Sequence, residues 1–322
     1  MNGQQSPDTN AIVVEKLSKT FGRFKAVDNL TFNVRRGEIF GFLGANGAGK
    51  STTIRMLCGL LQPTSGRATV SGFDVDRQSE DVKRTIGYMS QRFSLYDDLT
   101  VEQNIIFYGG IYGLQGQRLR ERMEWVLAMA DLQGREQSLT RSLAGGWKQR
   151  LALGCAIMHE PPILFLDEPT GGVDPISRRN FWELINQLSA EGVTILVTTH
   201  FLDEAEYCNT IVLINAGTLL ARGSPRELKG QSIRQPILEV VPRKNIVESL
   251  ETVRKQPWAL ETSVFGTTLH VMVDDEAEGK RLINETLAAQ GIPVERIERI
   301  SPSLEDVFLY LLDQAGGEGG RM

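Results

Sequence analysis

Apolar and polar positions follow two rhythms along this chain, and the changes between them mark out its organisation. Residues 11–15 (Ala11-Ile12-Val13-Val14-Glu15) and 30–34 (Leu30-Thr31-Phe32-Asn33-Val34) read as strands, the second alternating with period two. Residues 38–43, 162–166 and 193–199 are instead nearly continuous apolar runs, the pattern of strands buried on both faces. Helical stretches at 52–61 and about 177–190 fall between them. Strands alternating with helices predict an α/β fold, a parallel sheet covered by helices with its ligand at the strands' C-terminal ends.

Between residues 92 and 158 the rhythm changes. Residues 101–108, 117–130 and 146–158 read as three helices with no strand among them, a mostly helical insertion. The core resumes after it and ends near residue 230, giving a first domain over 11–230. Residues 232–313 carry a separate order: strand 237–241, helix 245–254, a hairpin of 260–264 with 268–273, helix 276–290, strand 294–300 and helix 303–312. That is a small α+β domain with the β-α-β-β-α-β order of ferredoxin-like units plus one helix. Leu304, Val307, Phe308 and Leu311 give the last helix one apolar face. Residues 1–10 and the glycine-rich 314–322 are expected to be a disordered lead-in and a flexible tail.

Composition narrows the class. Of 322 residues 41% are hydrophobic and 23% charged, the mix of a globular protein with a real core. No apolar run approaches the roughly 18 residues a membrane span needs, and the polar start lacks the features of a secretory signal. Three cysteines, Cys58, Cys155 and Cys208, lie in apolar surroundings at no ligand spacing, as buried reduced thiols of a cytoplasmic protein would. The net charge is −5, and the acidic excess falls wholly after residue 231. No basic field offers itself to a nucleic acid backbone, so nucleic acid is not an expected partner.

Two motifs carry chemistry. Gly44-Ala45-Asn46-Gly47-Ala48-Gly49-Lys50-Ser51 fits G-x-x-x-x-G-K-[ST] between a buried strand and a helix beginning near Thr52. Such a loop aims successive N–H groups at phosphate oxygens, and the helix N-terminus behind it favours an anion. Lys50 supplies a point charge facing the ligand rather than the core, and the Ser51 hydroxyl reaches Mg²⁺. The second motif is Ile163-Leu164-Phe165-Leu166-Asp167-Glu168, an apolar strand ending in two carboxylates. Burying that charge is costly unless cations meet it. Asp167 is the expected metal ligand through water, and Glu168 the general base that polarises an attacking water.

With both motifs in place, residues 11–230 resemble the nucleotide-binding domain of ABC transporters, a P-loop NTPase fold. The resemblance implies roles for further residues. Gln91, in Tyr88-Met89-Ser90-Gln91, stands at the Q-loop position, which touches Mg²⁺ and water and hinges the insertion. Ser142-Leu143-Ala144-Gly145-Gly146-Trp147-Lys148-Gln149-Arg150 aligns with the signature sequence, with Ala144 in place of serine and Trp147 in place of glutamine. Gly172-Val173-Asp174 is similar to the D-loop, and His200 to the switch histidine. Phe21, rather than Phe24, is expected to stack on adenine. Residues 102–113, Thr199-His200-Phe201-Leu202-Asp203-Glu204-Ala205-Glu206 and Pro302-Ser303-Leu304-Glu305-Asp306-Val307-Phe308-Leu309 further resemble the ABC-2 exporter branch.

The family implies ATP and Mg²⁺ as cofactors and a head-to-tail pair of nucleotide-binding domains, from one gene or two. Each ATP then lies between one chain's phosphate loop and the other's Gly145-Gly146 helix start. It also implies a separate integral membrane permease, with this subunit peripheral on the cytoplasmic face of the inner membrane. Phe93, Leu95 and Tyr96 are candidates for an apolar socket toward that permease. The competing reading is a soluble, non-transport ABC ATPase acting on ribosomes or DNA ends, which a single motif set, a short insertion and the absence of basic excess disfavour.

Overall fold

The structure, a computed structural model, describes residues 9–91 and 95–319. It divides into two compact units, Met1–Arg222 and Gly223–Met322.

The first unit is built on a six-stranded sheet in the order Thr218–Gly223, Thr210–Asn215, Ile39–Leu43, Thr194–Thr199, Ile163–Asp167, Ile86–Met89. Its central strands are parallel, and their register sets Leu43 beside Thr199, Asp167 beside Thr198 and Leu166 beside Met89. Four connections therefore leave at one edge: the phosphate loop, the segment after Asp167, the one after Thr199, and the one that reaches Gln91. This is the edge where parallel sheets hold ligands. The strand Ile163–Asp167 and its neighbour Thr194–Thr199 are buried at every position, which explains why their middle residues are all apolar.

A second, antiparallel sheet of Phe24–Arg35, Asn10–Phe21, Ser65–Val70 and Phe73–Asp74 adds a layer that strand–helix alternation does not reveal. Its inward residues Ile12, Leu17, Leu30 and Phe32 share one core with Phe40 and Phe42 of the parallel sheet. Phe32 stacks on Phe40 at 5.4 Å between ring centroids. The expected lead-in is shorter than ten residues. Asn10 already pairs with Arg35, because Thr9 and Asn10 have backbone and side-chain partners in 33–36; residues 1–8 lie outside the described residues.

The insertion consists of helices Val101–Ile111, Gly116–Ala130 and Gly145–Ile157, packed about Val101, Ile105, Val126, Leu127, Leu151 and Cys155. A Thr100/Gln103 capping box starts the first of them. Buried Asn104 ties it to its flanks, accepting from Tyr96 N and donating to Tyr96 O, Thr100 O and Thr140 Oγ1. All three cysteines are buried free thiols.

The second unit begins earlier than residue 232. The helix Pro225–Gln231, opened by a Ser224/Glu227 capping box, packs on the final helix Leu304–Gly319, so it belongs to this unit. Strand Ile237–Pro242, helix Ile246–Arg254, strands Glu261–Phe265 and Thr268–Met272, helix Glu276–Ala289 and strand Val294–Ile300 follow. The sheet order, with the second strand outermost, then third, first and fourth, is all antiparallel, as in a ferredoxin-like unit. The expected tail from residue 314 is corrected: the last helix runs on to Gly319. A glycine costs a helix about 1 kcal/mol but does not block it, and no proline intervenes. Among the described residues no helix is long and apolar enough to cross a membrane.

Candidate active site

Gly49 makes the phosphate loop possible. Its φ is +100°, and a Cβ there would stand 2.4 Å from the Ala26 carbonyl oxygen, so only glycine fits. Helix Lys50–Leu57 begins at the next residue. Lys50 turns its ammonium back along the loop, donating to Gly44 O at 2.8 Å and Ala45 O at 3.2 Å. The same ammonium lies 3.1 Å from Glu168 Oε1, and the two side chains are 4% and 8% exposed.

Glu168 is held from three sides. Besides Lys50, Gln91 Nε2 donates to its Oε2 at 2.8 Å, and His200 Nδ1 lies 3.4 Å from that oxygen. Its backbone has a φ of +48°, an uncommon conformation for a side-chain-bearing residue, of the kind that gathers at functional sites. The Glu168 N–H bonds Thr198 O and Oγ1, which anchors that turn. Thr198 Oγ1 also donates to Asp167 Oδ1 at 2.7 Å, and Ser51 Oγ to the same oxygen at 2.9 Å. Burial pushes the Asp167 carboxyl above the ordinary aspartate range, although the Thr198 and Ser51 hydroxyls oppose the shift. A cavity of about 380 Å³ opens over these groups, lined by Asn46, Gly47, Gly49, Lys50, Ser51, Thr52, Gln91 and Glu168. Gly44 and Ala48 are buried beneath the loop, and Ala45 is exposed.

A phosphate-binding loop, a buried cation, a glutamine and the Glu168 carboxylate thus converge on one cavity, with Asp167 and His200 joined to its lining through Ser51 and Glu168. Residues 27–171 match the family model described as ABC transporter. Residues 223–311 match that of the C-terminal domain of DrrA1-3-like ATP-binding proteins. The chain is 35% identical over 304 residues to the Nod factor export ATP-binding protein I of Ralstonia nicotianae, covering 94% of each. The chain belongs to the ATP-binding proteins of ABC transporters. It is also 53% identical over 227 residues to the probable multidrug ABC transporter ATP-binding protein YbhF of Escherichia coli. That match takes in 70% of this chain but 39% of YbhF, so the chain spans well under half of that relative's length. A solved dimeric ATP-binding cassette in a post-hydrolysis state, bound to ADP and Pi, superposes with a TM-score of 0.61 at 26% identity. The superposition covers 66% of this chain and 98% of that one.

Two aromatics flank the tip between the first two strands of this ATP-binding domain. Phe24 lines the cavity and is 65% exposed. Phe21, the residue expected to meet adenine, is not among the lining residues; Lys19 Nζ lies over its ring at 5.2 Å. Phe21 and Phe24 pair directly across a hairpin turn of two residues.

The signature segment opens helix Gly145–Ile157, with Ala144 as an N-cap that offers no side-chain bond. Trp147 packs against the insertion's core with the Arg135 guanidinium 4.2 Å over its ring, so it serves packing there. Asp174 caps helix Pro175–Ala190, accepting from Ile176 N and Ser177 N. The signature helix and Asp174 lie outside the cavity lining within one chain. Sequence reasoning gave no role to Thr198, Phe24 or Gln149. Thr198 had a signal: with Thr199 it ends a strand whose middle, Ile195-Leu196-Val197, is wholly apolar.

Proposed function

We propose that this chain is the ATP-binding and hydrolysing subunit of an ABC-2 type exporter, working as a head-to-tail dimer beneath a separate membrane permease on the cytoplasmic face. The observation that carries the reading is the threefold hold on Glu168 by Lys50, Gln91 and His200. It gathers a phosphate-binding cation, a general base and two polar groups able to sense the γ-phosphate at the rim of one cavity. The export reading is supported by the relatives' names, a Nod factor export and a probable multidrug ATP-binding protein.

The chemistry follows from those groups. Lys50 Nζ can face Glu168 or a phosphate oxygen, so a bound triphosphate competes with the carboxylate for it. Drawing Lys50 onto the β- and γ-phosphates leaves Glu168 free to take a proton from the attacking water. Gln91 and His200 keep the carboxylate aimed at the cavity while that exchange occurs. Ser51 and Asp167, a hydroxyl and a carboxylate 2.9 Å apart, are the oxygen donors that would hold Mg²⁺. When bound there it would neutralise charge on the phosphates. In the dimer, the Gly145-Gly146 helix start of the other chain would close over the γ-phosphate with its backbone N–H groups, and Asp174 would lie at the same interface.

The permease socket is drawn differently from the sequence expectation. Phe93 lies outside the described residues, and Leu95 packs into the insertion's core. Tyr96 is half exposed and meets Phe107 edge-on at 4.8 Å, and Ile106 and Ile111 are exposed on the same helix. This apolar patch is the better candidate for the permease's cytoplasmic segment.

Tagged chain purified from membranes should bring an integral membrane protein with it, and Ile111→Glu should release that protein while sparing ATP binding. Recovery of ribosomes or free chain in its place would sink the transport reading.

A further inference from the structure

The first turn of the signature helix divides its faces between two tasks. Gly145 is open, and a Cβ built there meets nothing within 4 Å. Gly146 is crowded: a Cβ would stand 2.5 Å from Ser177 Oγ and 2.9 Å from Ser177 Cβ. Ser177 belongs to the first turn of helix Pro175–Ala190, where Asp174 accepts its N–H. Three residues beyond Gly146, on the same helix face, stands Gln149. It is wholly buried and its Nε2 donates to Pro169 O at 2.8 Å, the carbonyl directly after Glu168. Its Oε1 is buried with no hydrogen-bond partner. A long polar side chain kept at that depth, half satisfied, is costly for a packing role alone, since an apolar residue of similar size fills space without the penalty.

We propose that Gln149 and Ser177 are positioning residues that key the signature helix to the catalytic loop of its own chain. Resting on the head-to-tail dimer proposed above, the inference gives each chain a rigid link between its two jobs. Segment 168–177 carries the base for one ATP; the Gly145 helix start closes over the other. Any displacement of Pro169 and Ser177 during turnover at the first site is carried through Gln149 and Gly146 to the second. The contact with Ser177 also gives Gly146 a reason for being glycine that does not involve nucleotide.

The test uses the full chain in the Glu168→Gln background, reading dimer fraction against ATP by size-exclusion chromatography and ATP affinity of the monomer by titration. Gln149→Met keeps the volume and removes the donor. It should raise the ATP needed for half dimerisation by roughly tenfold, the reach of one buried hydrogen bond, while monomer affinity is unmoved. Gly146→Ala should raise it as well, and adding Ser177→Gly, which removes both clashing atoms, should bring it back toward the parent. Loss of fold in Gln149→Met would leave the Gly146→Ala and Ser177→Gly pair to decide. A Gln149→Met protein that dimerises like its parent, or a double variant no better than Gly146→Ala, overturns the inference. A parent that never dimerises overturns the dimer reading itself, and the inference with it.

Discussion

Lys50 and Glu168 form a buried ion pair, 3.1 Å from Nζ to Oε1, although each is the residue that the chemistry assigns to nucleotide. A lysine facing only ligand could be removed without harm to the fold, but this one neutralises a buried carboxylate. Lys50→Ala should therefore lose ATP binding and also stability, by about 3 kcal/mol as for a buried pair broken on one side. Lys50→Ala with Glu168→Gln should recover much of the stability and none of the binding. Urea unfolding midpoints and nucleotide titration check both; a single variant as stable as wild type contradicts the pair's role.

The adenine contact separates two neighbouring rings. Phe24 lines the cavity and Phe21 does not, so Phe24→Ala should weaken ATP binding by roughly tenfold, the scale of one lost base stack. Phe21→Ala should change it little. Equilibrium binding of ATP and of triphosphate alone distinguishes them, because the loss should vanish without the base. A larger loss in Phe21→Ala than in Phe24→Ala would return the contact to Phe21.

At the signature, the open position and the crowded one need different probes. An aspartate at Gly146 collides with Ser177 inside its own chain, so its failure would say nothing of a partner. Gly145→Asp meets no neighbour and suits a helix N-terminus. That variant should fold and bind ATP as a monomer, yet fail to dimerise, because its charge would face the other chain's γ-phosphate. Ala144→Ser should act oppositely, since a hydroxyl supplies the missing N-cap bond, worth about 1 kcal/mol, and a donor for that phosphate. Dimer fraction against ATP in the Glu168→Gln background reads both. Normal dimerisation of Gly145→Asp would remove this helix from the interface.

Much of this was legible in sequence because buried strands have an unmistakable spelling. The runs before Gly44 and Asp167 are apolar at nearly every position and the one before His200 has an apolar middle, and the register of those strands then brings the loops after them together. The antiparallel layer was legible only in part: residues 11–15 and 30–34 read as strands, but Ser65–Val70 is exposed over its first half. In the parallel sheet Ile86–Met89, four residues long, escaped in the same way. Which of Phe21 and Phe24 lines the cavity hangs on side-chain direction at a two-residue turn. The roles of Thr198, Gln149 and Ser177 depend on contacts across 20 to 31 residues or between two helices, which no local pattern encodes.

Asp306 fixes the last helix to the sheet of the second unit and gives a pH signature. Burial alone would raise its carboxyl, but hydrogen bonds from His270 and from the Ser303 N–H and hydroxyl outweigh it and hold the group below its usual 3.8. A carboxyl depressed by folding stabilises above its unfolded value and loses that contribution as pH falls through the lowered one. Asp306→Asn should cost about 1–3 kcal/mol at pH 7, and its deficit against wild type should shrink in acid below the usual aspartate value. Hydrogen exchange in helix Leu304–Gly319 at pH 7 and in acid measures this; a deficit that stays constant contradicts it.

Glu168, held by Lys50, Gln91 and His200, is the group proposed to activate water. Single-turnover hydrolysis of bound ATP by Glu168→Gln, beside the wild type, tests that role most directly. The glutamine variant keeps the shape and the capacity to bond Gln91, so ATP binding should persist. Hydrolysis should slow by roughly 10²–10⁴-fold, the usual worth of a general base, with ATP-bound dimer accumulating. Turnover by Glu168→Gln within a few-fold of the wild-type rate would contradict the assignment and require another group to take the proton.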